Sequence, residues 1–182
     1  MRNLREFSVD DIFASVEETQ KKVHGAYSTL TLIANHGMLA FTDPYGIRPL
    51  ILGKKITGQG TAFAFASESS CLESLGYEIV KELEAGEAIF IDNLGRMHSR
   101  ILHRKTPAFC VFEYIYFARE DSLFHNHLVA SERVKMGKLL ARHFREADIH
   151  PDVVIDVPSS GYYFASGLAE ELEVPYRRGL SK

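Results

Sequence analysis

Cysteine is scarce in this chain: Cys71 and Cys110 are the only two in 182 residues. Two thiols cannot frame a disulfide-stapled fold, and their scarcity suits a reducing compartment. Basic blocks are missing too. Net charge is −3, and no run of Lys and Arg stands apart from acidic residues, so the footprint of a dedicated nucleic-acid binder is absent. No apolar run approaches the roughly 20 residues that span a bilayer. The opening MRNLREFSVDDIF lacks the continuous apolar stretch of a secretory signal. Internal repeats and low-complexity tracts are absent as well. The expectation is a cytoplasmic globular protein with neither nucleic acid nor membrane as partner. Hydrophobic content of 46% and charged content of 25% argue for order along most of the length, enough for one domain or pieces of two.

The first two-thirds read as strands with one or two helices. Ser8 to Val23 predicts a helix, with Ser8 as N-cap, Asp10 and Asp11 at the positive end of the dipole, and Val9, Ile12, Phe13 and Val16 as its apolar face. Strands are expected over 26–34, 38–41, 49–52, 62–66, 88–91 and 96–102, divided by Gly-, Asn- and Asp-rich turns. A short helix is expected over 68–75. The run AFCVFEYIYFA, 108–118, is apolar at nearly every position without alternation, which predicts a segment buried on more than one side. It stops at Arg119-Glu120-Asp121-Ser122. Past Asp121 the pattern changes to helix, strand, turn, helix. A long amphipathic helix is expected over 128–147, its apolar residues Val129, Val134, Met136, Leu139, Leu140 and Phe144. DVVIDV (152–157) predicts a strand, PSSG (158–161) a turn, 162–172 a helix, and Val174 to Tyr176 the start of another strand. That order opens a parallel α/β sheet and stops after one or two strands.

Several of these segments carry a resemblance. FTDPYGIRPLILG (41–53) is similar to the Asp-x-x-Gly-x-x-Pro-Leu signature of glutamine amidotransferases with an N-terminal nucleophile. ASESSCLESLGYE (66–78), GEAIFI (86–91), CVFEYIYFAREDS (110–122), ASERVKMGKLLA (130–141), DVVIDVPSSG (152–161) and VPYRRGLSK (174–182) follow in order. Together they resemble the amidophosphoribosyltransferase family, from Val9 onward. The resemblance implies an α+β fold followed by α/β: the C-terminal part of an N-terminal-nucleophile αββα sandwich over 1–122, then the first units of a phosphoribosyltransferase-type parallel sheet over 123–182, cut short. It implies an enzyme that takes ammonia from glutamine and joins it to phosphoribosyl pyrophosphate, with Mg2+ as cofactor, purine nucleotides as inhibitors, and assembly as a homo-oligomer.

The catalytic groups of that family are not found here. Its glutaminase uses a terminal cysteine, whereas the first cysteine is Cys71. Its phosphoribosyl site needs an Asp-Asp after a strand and before a Gly-x-Thr turn. The only Asp-Asp, Asp10-Asp11, opens a helix. The expectation is a fragment inactive by itself. The alternative is a short non-catalytic homologue serving as a nucleotide-binding or enzyme-assembly module.

Lesser candidates remain. Cys110 falls where cluster-bearing members of the family have their first iron–sulfur ligand, but a [4Fe–4S] cluster needs four thiolates, and a buried structural thiol is the plainer reading. Tyr114, Tyr116 and Phe117 are candidates to line an ammonia path between domains, against ordinary core aromatics. Glu113 needs a partner if buried, with Arg119 and Arg48 the candidates. Ser159 and Ser160 before a helix N-terminus, with Lys182, are candidates for a nucleotide phosphate; a plain turn and a solvated chain end are the alternatives. His125 and His127 have too few neighbouring ligands for a metal and read as a loop.

Overall fold

The computed structural model describes residues 8–181. The chain divides into two compact units, 1–110 and 111–182, so the residues of 111–122 pack with the second.

The first unit is layered. Helix α1 (Val9–Lys22) is set by a capping box: Ser8 accepts from the Asp11 amide, and the Asp11 carboxylate accepts from the Ser8 amide. Strands β1 (Ser28–Ile33), β2 (Gly37–Thr42), β6 (Glu87–Asp92) and β7 (Met97–Ile101) form a four-stranded antiparallel sheet in the order β1-β2-β6-β7. Strands β3 (Ile51–Thr57), β4 (Gly60–Ala66) and β5 (Glu78–Glu82) form a three-stranded sheet in the order β4-β3-β5.

Period-two alternation decides which side each residue serves. Leu39 and Phe41 of β2 lie opposite Phe90 and Ala88 of β6 and pack under Ile12, Phe13 and Val16 of α1. The intervening Ala40, Ile89 and Ile91 turn the other way and pack with Leu50, Leu52 and Leu83 between the two sheets. Short helix α2 (Ser69–Ser74) covers the outer face of the second sheet, where a side chain on Gly53 would meet Leu72 and Tyr77. Helix, sheet, sheet and helix are therefore stacked in that order. Strand β5 is missing from the sequence reading: Glu78-Ile79-Val80-Lys81-Glu82 carries charges at both ends, and pairing with β3 forms it.

In the second unit a π-helical turn (Glu113–Phe117) leads to a small ribbon, β8 (Leu123–Phe124) and β9 (His127–Leu128), then to α3 (Val129–Glu146) and α4 (Tyr162–Leu172). Three expectations are corrected here. The run 108–118 is not a segment buried on both sides. Its second half turns helically over Glu113–Phe117, and Phe109, Val111, Phe112, Tyr116 and Phe117 are exposed. The buried stripe of α3 is Val129, Arg133, Gly137 and Ala141, whereas Leu139 and Leu140 face outward. Finally, 152–157 forms no strand beyond a single parallel bridge, Val154 to Tyr176. Val154 packs with α3 and α4, while Val153, Ile155 and Val157 stay exposed on the opposite side, so the segment has strand-like alternation without strand neighbours.

Candidate functional site

The loop that carries the Asp-x-x-Gly-x-x-Pro-Leu signature is built around a carboxylate. Asp43 is fully buried. Its Oδ1 accepts from the Tyr45 amide at 2.9 Å, and its Oδ2 from the Ile47 amide at 3.0 Å and the Tyr27 amide at 3.3 Å. Gly46 takes φ +63° and donates to the Asp43 carbonyl at 3.0 Å, a left-handed position suited to glycine. A fully buried carboxylate that accepts from several backbone amides of its own loop holds that loop in shape. Thr42, beside it, is buried and donates to the Glu84 carbonyl at 2.8 Å.

A second buried carboxylate, Glu87, ties the two sheets together. Lys81 of β5 donates to it at 2.9 Å, Ser99 of β7 at 2.6 Å and the Glu84 amide at 2.8 Å. Every one of these donors lies within the first unit, and the arrangement is structural.

In the second unit the three aromatics singled out in the sequence part company. Tyr114 is buried; its hydroxyl donates to the Phe124 carbonyl at 2.8 Å, and its ring meets Phe124 edge-on. Tyr116 and Phe117 point outward with their rings 6.0 Å apart, and Phe112 lies 6.4 Å from Phe117. Glu113 is buried at the start of the turn. Arg119 forms a two-point contact with Asp121, at 3.0 and 2.8 Å, and Arg48 belongs to the first unit. Cys110 is half-buried and lies outside any strand, which corrects the expectation of a buried thiol.

The residue that organises this turn is one the sequence reading passed over. Arg133 is buried on the inner stripe of α3 and donates through Nε to the Tyr114 carbonyl at 2.6 Å and through Nη2 to the Ala118 carbonyl at 2.7 Å. Its signal was the spacing Val129, Arg133, Gly137, Ala141: a cation on the face of i, i+4 small and apolar residues.

Ser159 is exposed and Ser160 half-buried in the turn before α4. The N-cap of α4, Gly161, supplies no side-chain hydrogen bond to the first turn. Lys182 lies outside the described residues. Behind the turn, Tyr176 donates to buried Asp156 at 2.7 Å, and that hydrogen bond, with burial, raises the Tyr176 pKa.

Asp11 is used in the capping box and Asp10 pairs with Arg100 at 2.6 Å, so neither acid is placed as a magnesium-and-ribose pair. Among the described residues no group of three or more His, Cys, Asp or Glu is placed to hold a metal. With two cysteines in the sequence, the residues present do not fit a four-thiolate cluster. His125 and Asn126 both take positive φ and turn the β8–β9 ribbon, while His127 Nδ1 lies 3.1 Å from Glu132. No helix among the described residues is long and apolar enough to cross a membrane.

No protein-family model matches the chain. It is 41% identical over 177 residues to the amidophosphoribosyltransferase of Pasteurella multocida, covering 94% of this chain and 35% of that protein. Against the amidophosphoribosyltransferase of Escherichia coli K12 the identity is 41% over 179 residues, covering 95% of this chain and 35% of that protein. Among solved structures, glutamine phosphoribosylpyrophosphate amidotransferase from Bacillus subtilis complexed with ADP and GMP superposes with a TM-score of 0.80 at 32% identity, over 98% of this chain and 37% of that one. A second, described as the allosteric regulatory enzyme of purine biosynthesis, gives 0.81 at 31% identity, over 98% of this chain and 36% of that one. The chain thus spans about a third of the length of the relatives it matches.

Proposed function

We propose, from the premise that this chain is homologous to amidophosphoribosyltransferases over about a third of their length, that it serves as the stretch of such an enzyme running from the end of its glutaminase layers into its phosphoribosyltransferase domain. The whole enzyme takes ammonia from glutamine and displaces pyrophosphate from phosphoribosyl pyrophosphate, giving 5-phosphoribosylamine for purine synthesis in the cytoplasm. The observation that carries this reading is the near-complete match of the chain, in sequence and in fold, to one family.

The helix–sheet–sheet–helix stack of the first unit supports assignment to an N-terminal-nucleophile sandwich. The α3–α4 pair beside the Val154–Tyr176 parallel bridge supports assignment to the opening of a parallel-sheet domain. The work of this stretch is scaffolding. Asp43 shapes the signature loop, and Arg133 fixes the π-helical turn so that Tyr116 and Phe117 present an apolar wall suited to an ammonia path. Ser159 and Ser160, at an uncapped helix start, suit a nucleotide phosphate. Tyr114 acts from within the core as the anchor of the turn.

Cys71 and Cys110 lie inside this stretch and the Asp10-Asp11 pair opens helix α1, so both the glutamine nucleophile and the phosphoribosyl-binding acids are assigned to other parts of the longer enzyme. The test is to capture the endogenous protein with an antibody against 152–181 and measure its intact mass together with glutamine- and phosphoribosyl-pyrophosphate-dependent product formation. Activity in a polypeptide about three times longer than this chain, as the coverage of the relatives implies, is expected. Activity in a polypeptide of this length alone would sink the proposal.

A further inference from the structure

Three stretches of backbone meet at Gly86. Its amide donates to the Asp43 carbonyl at 2.9 Å, and its carbonyl accepts from the Leu102 amide at 3.0 Å. It takes φ +71°, and a methyl group built there would lie 2.7 Å from the His103 carbonyl oxygen. This crossing lets the segment 103–108, which follows β7, run alongside the signature loop. Two main-chain bonds clip it there. The Lys105 amide donates to the Pro44 carbonyl at 2.8 Å, and the Ala108 amide to the Tyr45 carbonyl at 2.9 Å. One side chain adds to them: Lys105 Nζ lies 5.0 Å from the centre of the Tyr45 ring and 3.3 Å from its hydroxyl.

The two sides of this contact are held differently. The loop is fixed from within by the Asp43 carboxylate, which does not involve the segment. Leu102 is the last residue to pack against the core beneath α1, and 103–108 adds no side chain to that core or to the one between the sheets. Arg104 meets Glu84 at 3.1 Å, but both are exposed, so the pair has little weight. A segment held by hydrogen bonds with few buried apolar contacts opens at a lower free energy than the domain unfolds.

We propose that 103–108 is a latch on the signature loop, opening and closing as one piece, with Tyr45 as its catch. Closed, it satisfies the carbonyls of Pro44 and Tyr45 and leaves only 109–110 before the second unit, which begins at Val111. Open, it adds 103–108 to that link, about 20 Å of extended chain, while Asp43 keeps the loop in shape. The latch thus sets how much free chain joins the two units. Every group in it lies between residues 43 and 108, and no part of it depends on the proposed enzymatic role.

The experiment is amide hydrogen exchange by NMR on the full chain and on Lys105→Met and Tyr45→Leu. Lys105 is exposed and Tyr45 is 37% exposed, so both variants are expected to keep their fold by circular dichroism. In the parent, the Lys105 and Ala108 amides should be equally protected, less than β2 and β6, and insensitive to low urea. Lys105→Met should lower protection at both amides together, by about two- to fivefold for a lost cation–π contact. Tyr45→Leu should do the same and speed tryptic cleavage after Arg104 by the same factor. Gly46, β2 and β6 should not change in either variant. Protection equal to that of β2 and β6 would mean that the segment opens only with the whole unit, and would overturn the latch. Unequal protection at the two amides, none at either, or no effect of the variants would overturn it as well.

Discussion

Gly137 of α3 and Gly167 of α4 hold the two helices in backbone contact. A methyl group built on Gly137 would overlap the Phe164 carbonyl, and one on Gly167 would overlap the Val134 carbonyl. Each glycine admits the backbone of the opposite helix, so the close approach is reciprocal. Around this contact pack Ala141, Ala165 and Ala169, small residues that let the helices stay near, together with Leu168. The pairing is completed at its rim by Lys138 with Glu170 and Arg145 with Glu171, exposed contacts of little energetic weight.

Replacing Gly167 with valine should therefore force the helices apart. A loss of about 2–3 kcal/mol is expected, read as a lowered urea midpoint for the second unit. An unchanged midpoint would mean that the helices slide freely and that the contact is not a constraint.

Arg133→Ala should free the π-helical turn. It removes a charged donor from two buried carbonyls, at a cost of roughly 2–4 kcal/mol. Hydrogen exchange at the amides of Ile115 and Ala118, whose donors are satisfied within the turn, should speed up while β2 and β6 stay protected. Arg133→Lys should recover only part of this, because an ammonium lacks the guanidinium fork.

Lys81→Met leaves Glu87 with Ser99 and the Glu84 amide but without its cation. Lys81 is 36% exposed, so the loss should be about 2 kcal/mol, less than the 3–5 seen for fully buried pairs. The double variant Lys81→Met, Glu87→Gln should lie closer to the parent than the single one. A single variant as stable as the parent would show that Ser99 and the Glu84 amide suffice.

The turn between β6 and β7 should loosen in acid. Burial of Asp92 works against its charge, but the Arg96 amide, the Arg96 guanidinium, His98 and the Leu94 amide together hold its carboxyl well below the ordinary value of 3.8. A depressed folded-state pKa means the contribution is present above the unfolded value, near 3.8, and is lost as pH falls below it. Stability measured between about pH 6 and about pH 2 should fall on the acid side in the parent, and less steeply in Asp92→Asn. Parallel curves would remove Asp92 as the cause.

Local chemistry was legible wherever one short segment contained the whole reason for its structure. Ser8 and Asp11 lie three residues apart and close their own box. The turn Asp92-Asn93-Leu94-Gly95 was readable because Asp92 accepts from the amides of Leu94 and Arg96. Strand β5 was hidden because its alternation is broken by charge at both ends and only β3 makes it a strand. The run 108–118 misled in the other direction. Apolarity alone counts as burial in a sequence, but there Tyr114 turns inward while Phe112, Tyr116 and Phe117 turn out, a consequence of helical rather than extended backbone. Arg133 was overlooked for a related reason. A cation on a helix is read as solvated until the carbonyls it serves are seen to come from a segment 15 and 19 residues away.

By itself the sequence determined the family resemblance, the four α-helical segments, the strands of the first unit other than β5, the capped start of α1 and the tight turns, since each depends on residues within a few positions of one another. Only the tertiary structure decided which carboxylates are structural, that Tyr114 and Tyr116 face opposite ways, and that α3 packs through Gly137 rather than through its leucines. Those outcomes depend on what lies across from a residue in space, and a linear pattern carries no record of the partner.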